Sequence, residues 1–195
     1  MIKTDANLVE DYLQGEPSAL DVLIKKYLKL IYNFVYRLIG DVDLAHDITQ
    51  DVFVKVWQKL KQYDSKKSFK TWLFTIARNT IIDFARKKKL LSFSELEAHG
   101  FDSNNFTEQV VATDPQPDKI FEKLDTKNKM EAVIQQLPVI YRQVILLYYV
   151  QEFSLEEIAQ ILKKSVNTVK SQHRRALILL RQLADAPNFN LKTYL

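Results

Sequence analysis

Residues 69–89, FKTWLFTIARNTIIDFARKKK, constrain the fold more than any other stretch. Phe69, Trp72, Leu73, Ile76, Ala77, Thr80 and Phe84 recur at i, i+3, i+4, i+7 spacing, so one side of a helix is apolar and must face a core. Arg78, Asn79, Asp83, Arg86, Lys88 and Lys89 fall away from that side. Between Lys66 and Lys89 there are eight Lys or Arg and one acid, Asp83. A helix anchored this firmly holds its cations rigidly. Rigid cations beside aromatic residues suit a nucleic acid, whose phosphates bind the charge and whose unstacked bases meet the rings. An ordinary core helix with a solvated charged face would look the same in this stretch alone.

The totals narrow the class. The 195 residues carry 28 Lys plus Arg against 24 Asp plus Glu, so a polyanionic partner has to be argued from where the charge lies. With no cysteine, disulfides and thiolate metal sites are excluded, and a reducing cytoplasmic setting is expected. The first residues, MIKTDANLVEDYL, mix acids into the apolar positions and lack a signal-peptide core. The apolar run at 144–150 is too short to span a bilayer, so no membrane insertion is expected. Only three glycines and five prolines occur, and no alternating pattern stands out. The expectation is an all-α chain of two small helical domains joined by an acidic linker.

Helical spacing marks one domain at residues 5–89. Gly15-Glu16-Pro17-Ser18 separates a short first helix from a longer one on Leu20, Leu23, Ile24, Tyr27, Leu28, Ile31, Phe34, Val35 and Leu38. Gly40 ends it, and Asp41 or Asp43 caps the next, which runs to about Lys61 on Leu44, Ile48, Val52, Phe53, Val56, Trp57 and Leu60. A polar hinge at 62–68 leads into the basic helix. Trp57 and Trp72 are assigned to the core. Residues 90–118 have no Lys or Arg and six acids, and the linker is set at 90–124. Its Phe93, Leu96, Phe101 and Phe106 exceed what an inert tether needs. A second domain follows at 125–184, then a tail at 185–195.

Within that second domain, residues 153–180 read as helix, tight turn, helix. Ser154-Leu155-Glu156-Glu157 fits a capping box, and Ser165 caps the last helix. Small Ala159 sits where two crossing helices approach, and Val169 fills the inner face. From Lys163 to Arg181 there are six cations and no acid. That polarity matches a recognition helix entering a major groove, with Asn167, Thr168, Ser171, Arg174 and Arg175 outward and Lys170 at the edge. Asn and Arg are the side chains that read adenine and guanine edges bidentately. A basic hairpin packing on another protein is the competing reading of these two helices.

Taken together, the chain resembles bacterial RNA polymerase sigma factors of the extracytoplasmic-function type. The resemblance covers about residues 10–182 and rests on three motifs. They are Asp47-Ile48-Thr49-Gln50-Asp51-Val52-Phe53 with Trp57; Phe69-Lys70-Thr71-Trp72-Leu73 running into Ile76-Ala77-Arg78-Asn79, Asp83 and Arg86; and Glu157-Ile158-Ala159 through Ser165, Thr168-Val169-Lys170-Ser171 and Arg175-Ala176. It implies a minimal form with the second and fourth sigma regions only. Asp47, Ile48, Gln50, Asp51 and Phe53 would then bind the clamp helices of core RNA polymerase. Tyr63, Ser65, Lys66, Lys67, Lys70, Arg78, Asn79, Arg86 and Lys87 would capture and melt the −10 element. Ser165, Asn167, Thr168, Lys170, Ser171, Arg174 and Arg175 would read the −35 duplex while this domain sits on the polymerase flap. The resemblance also implies promoter DNA as ligand, an anti-sigma factor as partner, and a linker threading toward the RNA exit channel.

Three positions depart from the family's habit of glycine: Glu152, Lys163 and Asn167. A left-handed Lys163 would cost on the order of 1 kcal/mol relative to glycine. Gln172 stands where Arg is common, and His46 replaces a usual Glu. No catalytic, metal or cofactor site is expected. His46-Asp47 resembles a phosphohydrolase metal pair, yet only His99 and His173 remain as further histidines, one in the linker and one in the recognition helix. A stand-alone helix-turn-helix regulator would explain 153–180 but not the basic, aromatic block at 63–89.

Overall fold

The computed structural model describes residues 3–87 and 127–185. The expected linker at 90–124, with its four aromatic and aliphatic candidates, and the tail beyond 185 lie outside the described residues. Four helices form the first module: α1 (Asp5–Leu13), α2 (Pro17–Ile39), α3 (Val42–Lys59) and α4 (Phe69–Lys87). A 3₁₀ turn (Leu60–Gln62) follows α3. The second module comprises α5 (Lys127–Gln136), α6 (Val139–Ile145), a π-helical turn (Leu146–Val150), α7 (Leu155–Leu162) and α8 (Val166–Asp185). Among the described residues there is no strand.

Local chemistry sets the boundaries. Thr4 and Asn7 close a capping box on α1, and Pro17 opens α2, where a missing amide is harmless. Gly40 ends α2 in the left-handed conformation (φ +79°), donating its N–H to the Tyr36 carbonyl. Asp41 is the cap of α3, its carboxylate accepting from Leu44 N at 2.9 Å, while Asp43 lies in the first turn and complements the helix dipole. The Ser154–Glu157 capping box is present on α7. Lys163 closes α7 in the left-handed region (φ 52°), as its place in the helix-turn-helix requires.

In the first module α2, α3 and α4 bury Leu23, Ile31, Phe34, Val35, Ile48, Val52, Leu73 and Ala77 around one centre. The second module closes on Val133, Leu137, Val144, Ile145, Leu147, Ile158, Ile161, Val169, Ala176 and Leu180. Val169 and Ala159 are both buried, as the helix crossing demands. The π turn, marked by Gln151 N–H bonding to the Leu146 carbonyl at 3.0 Å, is not legible from periodicity.

The modules also pack on each other, which neither pattern announces. Phe74 of α4 is fully buried, its ring edge-on to Phe34 on one side and to Phe153 on the other, at 5.2 and 5.1 Å between centroids. At the far end Arg142 reaches from α6 to the end of α2. Its guanidinium donates to Leu38 O (3.1 Å), Gln135 Oε1 (2.9 Å), Leu137 O (2.9 Å) and Gln135 O. Those acceptors offset much of the cost of burying the cation, and it sits at the carbonyl ends of α2 and α5, where the dipoles favour it. Gln135 Nε2 adds a bond to Arg37 O (2.9 Å), and Arg37 pairs with Glu131 at 3.0 Å.

Trp57 corrects the sequence expectation. It is 57% exposed, and its indole N–H donates to Tyr12 Oη at 2.8 Å, tying α3 to α1 at the surface rather than filling the core. Val56 and Leu60, its neighbours in the same apolar run, take the inner face instead. Lys163→Gly removes the strained side chain without loss of a buried contact and should stabilise the fold by about 1 kcal/mol, read as a raised urea midpoint at unchanged slope.

Candidate nucleic-acid interface

On α3, Asp47, Gln50 and Asp51 form one exposed edge. Phe53 is half-buried and Ile48 fully buried, so Ile48 positions this edge from within rather than presenting itself. Val54 and Trp57 extend the edge, 49% and 57% exposed. Their spacing from Asp47, i+7 and i+10, puts them in the same helical row, and that spacing is the signal in the sequence that points to them.

The hinge after α3 is held by its own polar groups. Asp64 accepts from Lys66 N at 3.0 Å, and its carbonyl accepts from Lys67 N at 2.9 Å. Ser65, Lys66 and Lys67 are thereby left exposed on a short, fixed loop. Tyr63 donates its hydroxyl to the Lys67 carbonyl and packs its ring against Phe69 (5.4 Å) and Trp72 (5.3 Å). Burial, with the charges of Asp5 and Asp64, pushes the Tyr63 phenol above its ordinary pKa. Ser68 Oγ accepts from Thr71 N at 3.2 Å and starts α4. The result is an aromatic corner ringed by lysines.

Along α4 the expected cations divide. Arg86 and Lys87 are exposed at the C-terminal turn, where the helix dipole favours them. Arg78 and Asn79 are half-buried, with Arg78 Nη1 donating to Asn79 Oδ1 at 3.2 Å. Lys70 is drawn into the module contact: its Nζ donates to the Gln151 carbonyl at 2.5 Å and lies 4.6 Å from the centroid of the Phe153 ring.

The helix-turn-helix is α7 and α8. Ser165 Oγ accepts from Thr168 N (3.1 Å) and meets Thr168 Oγ1 (2.8 Å), so both hydroxyls help to fix the turn. Asn167, Thr168, Lys170, Ser171 and Arg174 are exposed, and Arg175 is half-buried. Gln172 is buried, so it does not face outward with them. His173 packs against both Tyr148 and Tyr149, its Nε2 3.2 Å from Tyr149 Oη. Among the described residues no group of three or more His, Cys, Asp or Glu side chains is placed to hold a metal ion, and no helix is long and apolar enough to cross a membrane.

A four-helix module with a cationic, aromatic corner, packed beside a helix-turn-helix module, defines a helical protein of the DNA-binding class. Residues 23–90 match the family model for Sigma-70 region 2, and residues 127–180 that for Sigma-70, region 4. The chain is similar to the ECF RNA polymerase sigma factor SigW of Bacillus subtilis, 35% identical over 178 residues covering 91% of this chain and 95% of the relative. The ECF RNA polymerase sigma-E factor of Escherichia coli is 28% identical, with 89% and 90% covered. Among solved structures, the sigma factor RpoE of Bartonella quintana, in complex with the anti-sigma factor NepR, aligns with a TM-score of 0.62 at 27% identity, covering 86% of this chain and 98% of that one. The chain belongs to the ECF family of RNA polymerase sigma factors, and its function is promoter-directed transcription initiation with RNA polymerase.

Burial holds the His173 imidazole below its ordinary value of about 6.5, so the folded chain keeps it neutral while the unfolded chain takes up a proton first. This contribution to stability is present above that value and lost as pH falls below it. Thermal unfolding followed by circular dichroism should therefore show a lower midpoint at pH 5.5 than at pH 7.5, and His173→Phe should remove that component of the difference.

Proposed function

We propose that the exposed edge of α3 binds core polymerase, that the 63–68 hinge and α4 capture the −10 strand, and that the N-terminal half of α8 reads the −35 duplex. The observation that carries this reading is the pairing of two chemically different surfaces in one short chain. An aromatic corner fenced by lysines suits an unstacked base, and a capped, exposed polar helix suits a major groove. A single-site regulator needs only the second.

Each proposed role follows from exposure and chemistry. Asp47, Gln50 and Asp51 offer carboxylates and an amide to a basic partner surface, and Val54 and Trp57 add the apolar contact such an edge needs to dock firmly. Ser65, Lys66 and Lys67 hold phosphates beside the Tyr63–Phe69–Trp72 corner, and Arg86 and Lys87 continue that track. Asn167, Lys170, Ser171 and Arg174 face the groove, while Ser165 and Thr168 set the angle of the helix and Arg175 supports it from the flank. The chain acts by recognition and supplies no bond-making chemistry of its own. It works in the cytoplasm and is held in check by an anti-sigma partner. The anti-sigma complex of the Bartonella relative supports the last point.

Melting a promoter costs ~1.4 kcal/mol per base-pair step, more than a handful of contacts from a chain of net charge +4 offsets over several steps. The free protein should therefore leave promoter duplex closed. Permanganate reactivity of thymines near the start site, measured with this protein, with core polymerase and with both, should rise only in the combined sample. Tight duplex binding by the protein alone, with no opening when core is added, would favour a stand-alone regulator. For the α3 edge, Asp47→Arg and Trp57→Ala should each weaken core binding about ten-fold or more in native-gel titration, with the helical circular dichroism unchanged.

A further inference from the structure

The aromatic corner at the start of α4 is braced from beneath by a ring that does not belong to it. Phe69 is buried, with ring contacts to Tyr63 at 5.4 Å, to Trp72 at 5.6 Å and, on α2, to Tyr27 at 5.6 Å. Tyr63 and Trp72 are half-buried and can meet a base, whereas Tyr27 is 3% exposed and cannot. The Tyr27 hydroxyl therefore sits where water has little access, and a buried hydroxyl needs a partner. That partner is Asp5, the first residue of α1, whose Oδ2 accepts from Tyr27 Oη at 2.6 Å. The other carboxylate oxygen takes Lys26 Nζ.

A carboxylate beside a surface meant for phosphates works against it unless it has a task. Burial first, and then the charge of Asp5, raise the Tyr63 phenol, so Asp5 lies within electrostatic reach of the corner. Both of its oxygens are committed: Lys26 offsets the charge, and Tyr27 takes the directed bond. Burial and the bond to Asp5 push the Tyr27 phenol far above its ordinary value, so the hydroxyl keeps its proton and remains a donor. Asp5 is itself well fixed. It stands in the first turn of α1, where the helix dipole favours a carboxylate, directly after the Thr4 cap. All of α1 precedes residues 23–90, the stretch that matches region 2, so the motifs that carry the family do not reach Asp5.

We propose that Asp5 is a positioning residue for capture of the −10 strand: through the Tyr27 hydroxyl it fixes the ring that braces Phe69, and so sets the Tyr63–Trp72 surface that an unstacked base meets. The inference rests on the −10 reading of this corner. Tyr27, Tyr63 and Trp72 all pack on Phe69, so a tilt of the first is passed to the other two. Without Asp5 the hydroxyl is left unpaired in the interior, and it reaches water only if the ring turns with it. Without the hydroxyl nothing drags the ring. The two removals are therefore unequal, and the second cancels the first.

The measurement uses holoenzyme assembled from the full-length chain and core polymerase. The probe is a fluorescent single strand copied from the non-template −10 region of a promoter that this holoenzyme opens. Asp5→Ala should weaken capture of that strand about five- to ten-fold, and Tyr27→Phe no more than about two-fold. The double variant should return to the level of Tyr27→Phe, because no orphaned hydroxyl remains. Asp5→Asn keeps an acceptor for Tyr27 and should stay within about two-fold of the unaltered protein. Core affinity and binding of the upstream duplex should be unchanged in all four variants, a split that a general loss of structure does not give. Unaltered capture by Asp5→Ala would overturn the proposal. So would a loss that Tyr27→Phe fails to relieve, since Asp5 would then act by its charge or by folding α1. Should Asp5→Ala release α1, seen as reduced helical circular dichroism, Tyr27→Leu gives the second measure. It removes the bracing ring and leaves Asp5 paired with Lys26, so capture should still fall about five-fold, and unchanged capture in that folded variant counts against the proposal. Failure of the −10 assignment reads differently, as normal capture by Lys66→Ala/Lys67→Ala.

Discussion

Helix α4 carries buried side chains on more of its circumference than one small module can cover, and the rest of the structure is arranged around that fact. Leu73 and Ala77 are fully buried, Phe74 is shared between Phe34 of α2 and Phe153 of the loop before α7, and Thr71 is closed off by α7. Burying a side chain such as Phe74 contributes about 1.5–3 kcal/mol. Leaving it at a free surface would forgo part of that stabilisation and expose an apolar patch, so a second surface is recruited to it. The basic helix is thereby both the pillar of the first module and the floor on which the second stands.

That arrangement couples local backbone strain to placement. The π turn at 146–150 and the left-handed Glu152 form a compact reversal, and the reversal determines where Gln151 and Phe153 lie. Lys163 repeats the device in the next turn, where it sets the crossing of α7 and α8. Both positions are ones where glycine would be free of strain, so conformational energy is stored there while side chains and carbonyls are aimed. Glu157 joins the two levels, completing a helix cap with one oxygen and a contact between modules with the other.

The surfaces that face outward divide by how much of their chemistry is committed to the fold. Ser165 and Thr168 are exposed yet already bonded to each other, and the Tyr63 hydroxyl is taken up by the Lys67 carbonyl. Asp47, Gln50, Asp51, Asn167, Lys170 and Arg174 are exposed at regular helical spacing, where periodicity shows them directly. Trp57 departs from its expected place because an aromatic at helical spacing usually belongs to a core. Here a tyrosine from α1, contributed from far away in sequence, meets its indole at the surface.

The helices, their caps and the helix-turn-helix follow from the chain's local order, because they depend on residues three or four apart: Pro17 and Gly40 bounding α2, Asp41 before α3, Ser154 with Glu157, Ser165 with Thr168. The split into two modules is equally legible, as is the family, whose motifs are local in the same sense. Which cations remain outward is settled by packing alone. Lys70 and Arg86 look alike along the chain, yet Lys70 is held by the Phe153 ring and by the Gln151 carbonyl, 81 residues away, while Arg86 stays exposed at the end of α4. Whether a charge faces solvent depends on what packs over it, and for Lys70 that is a strained loop in the other module, beyond the reach of any helical period.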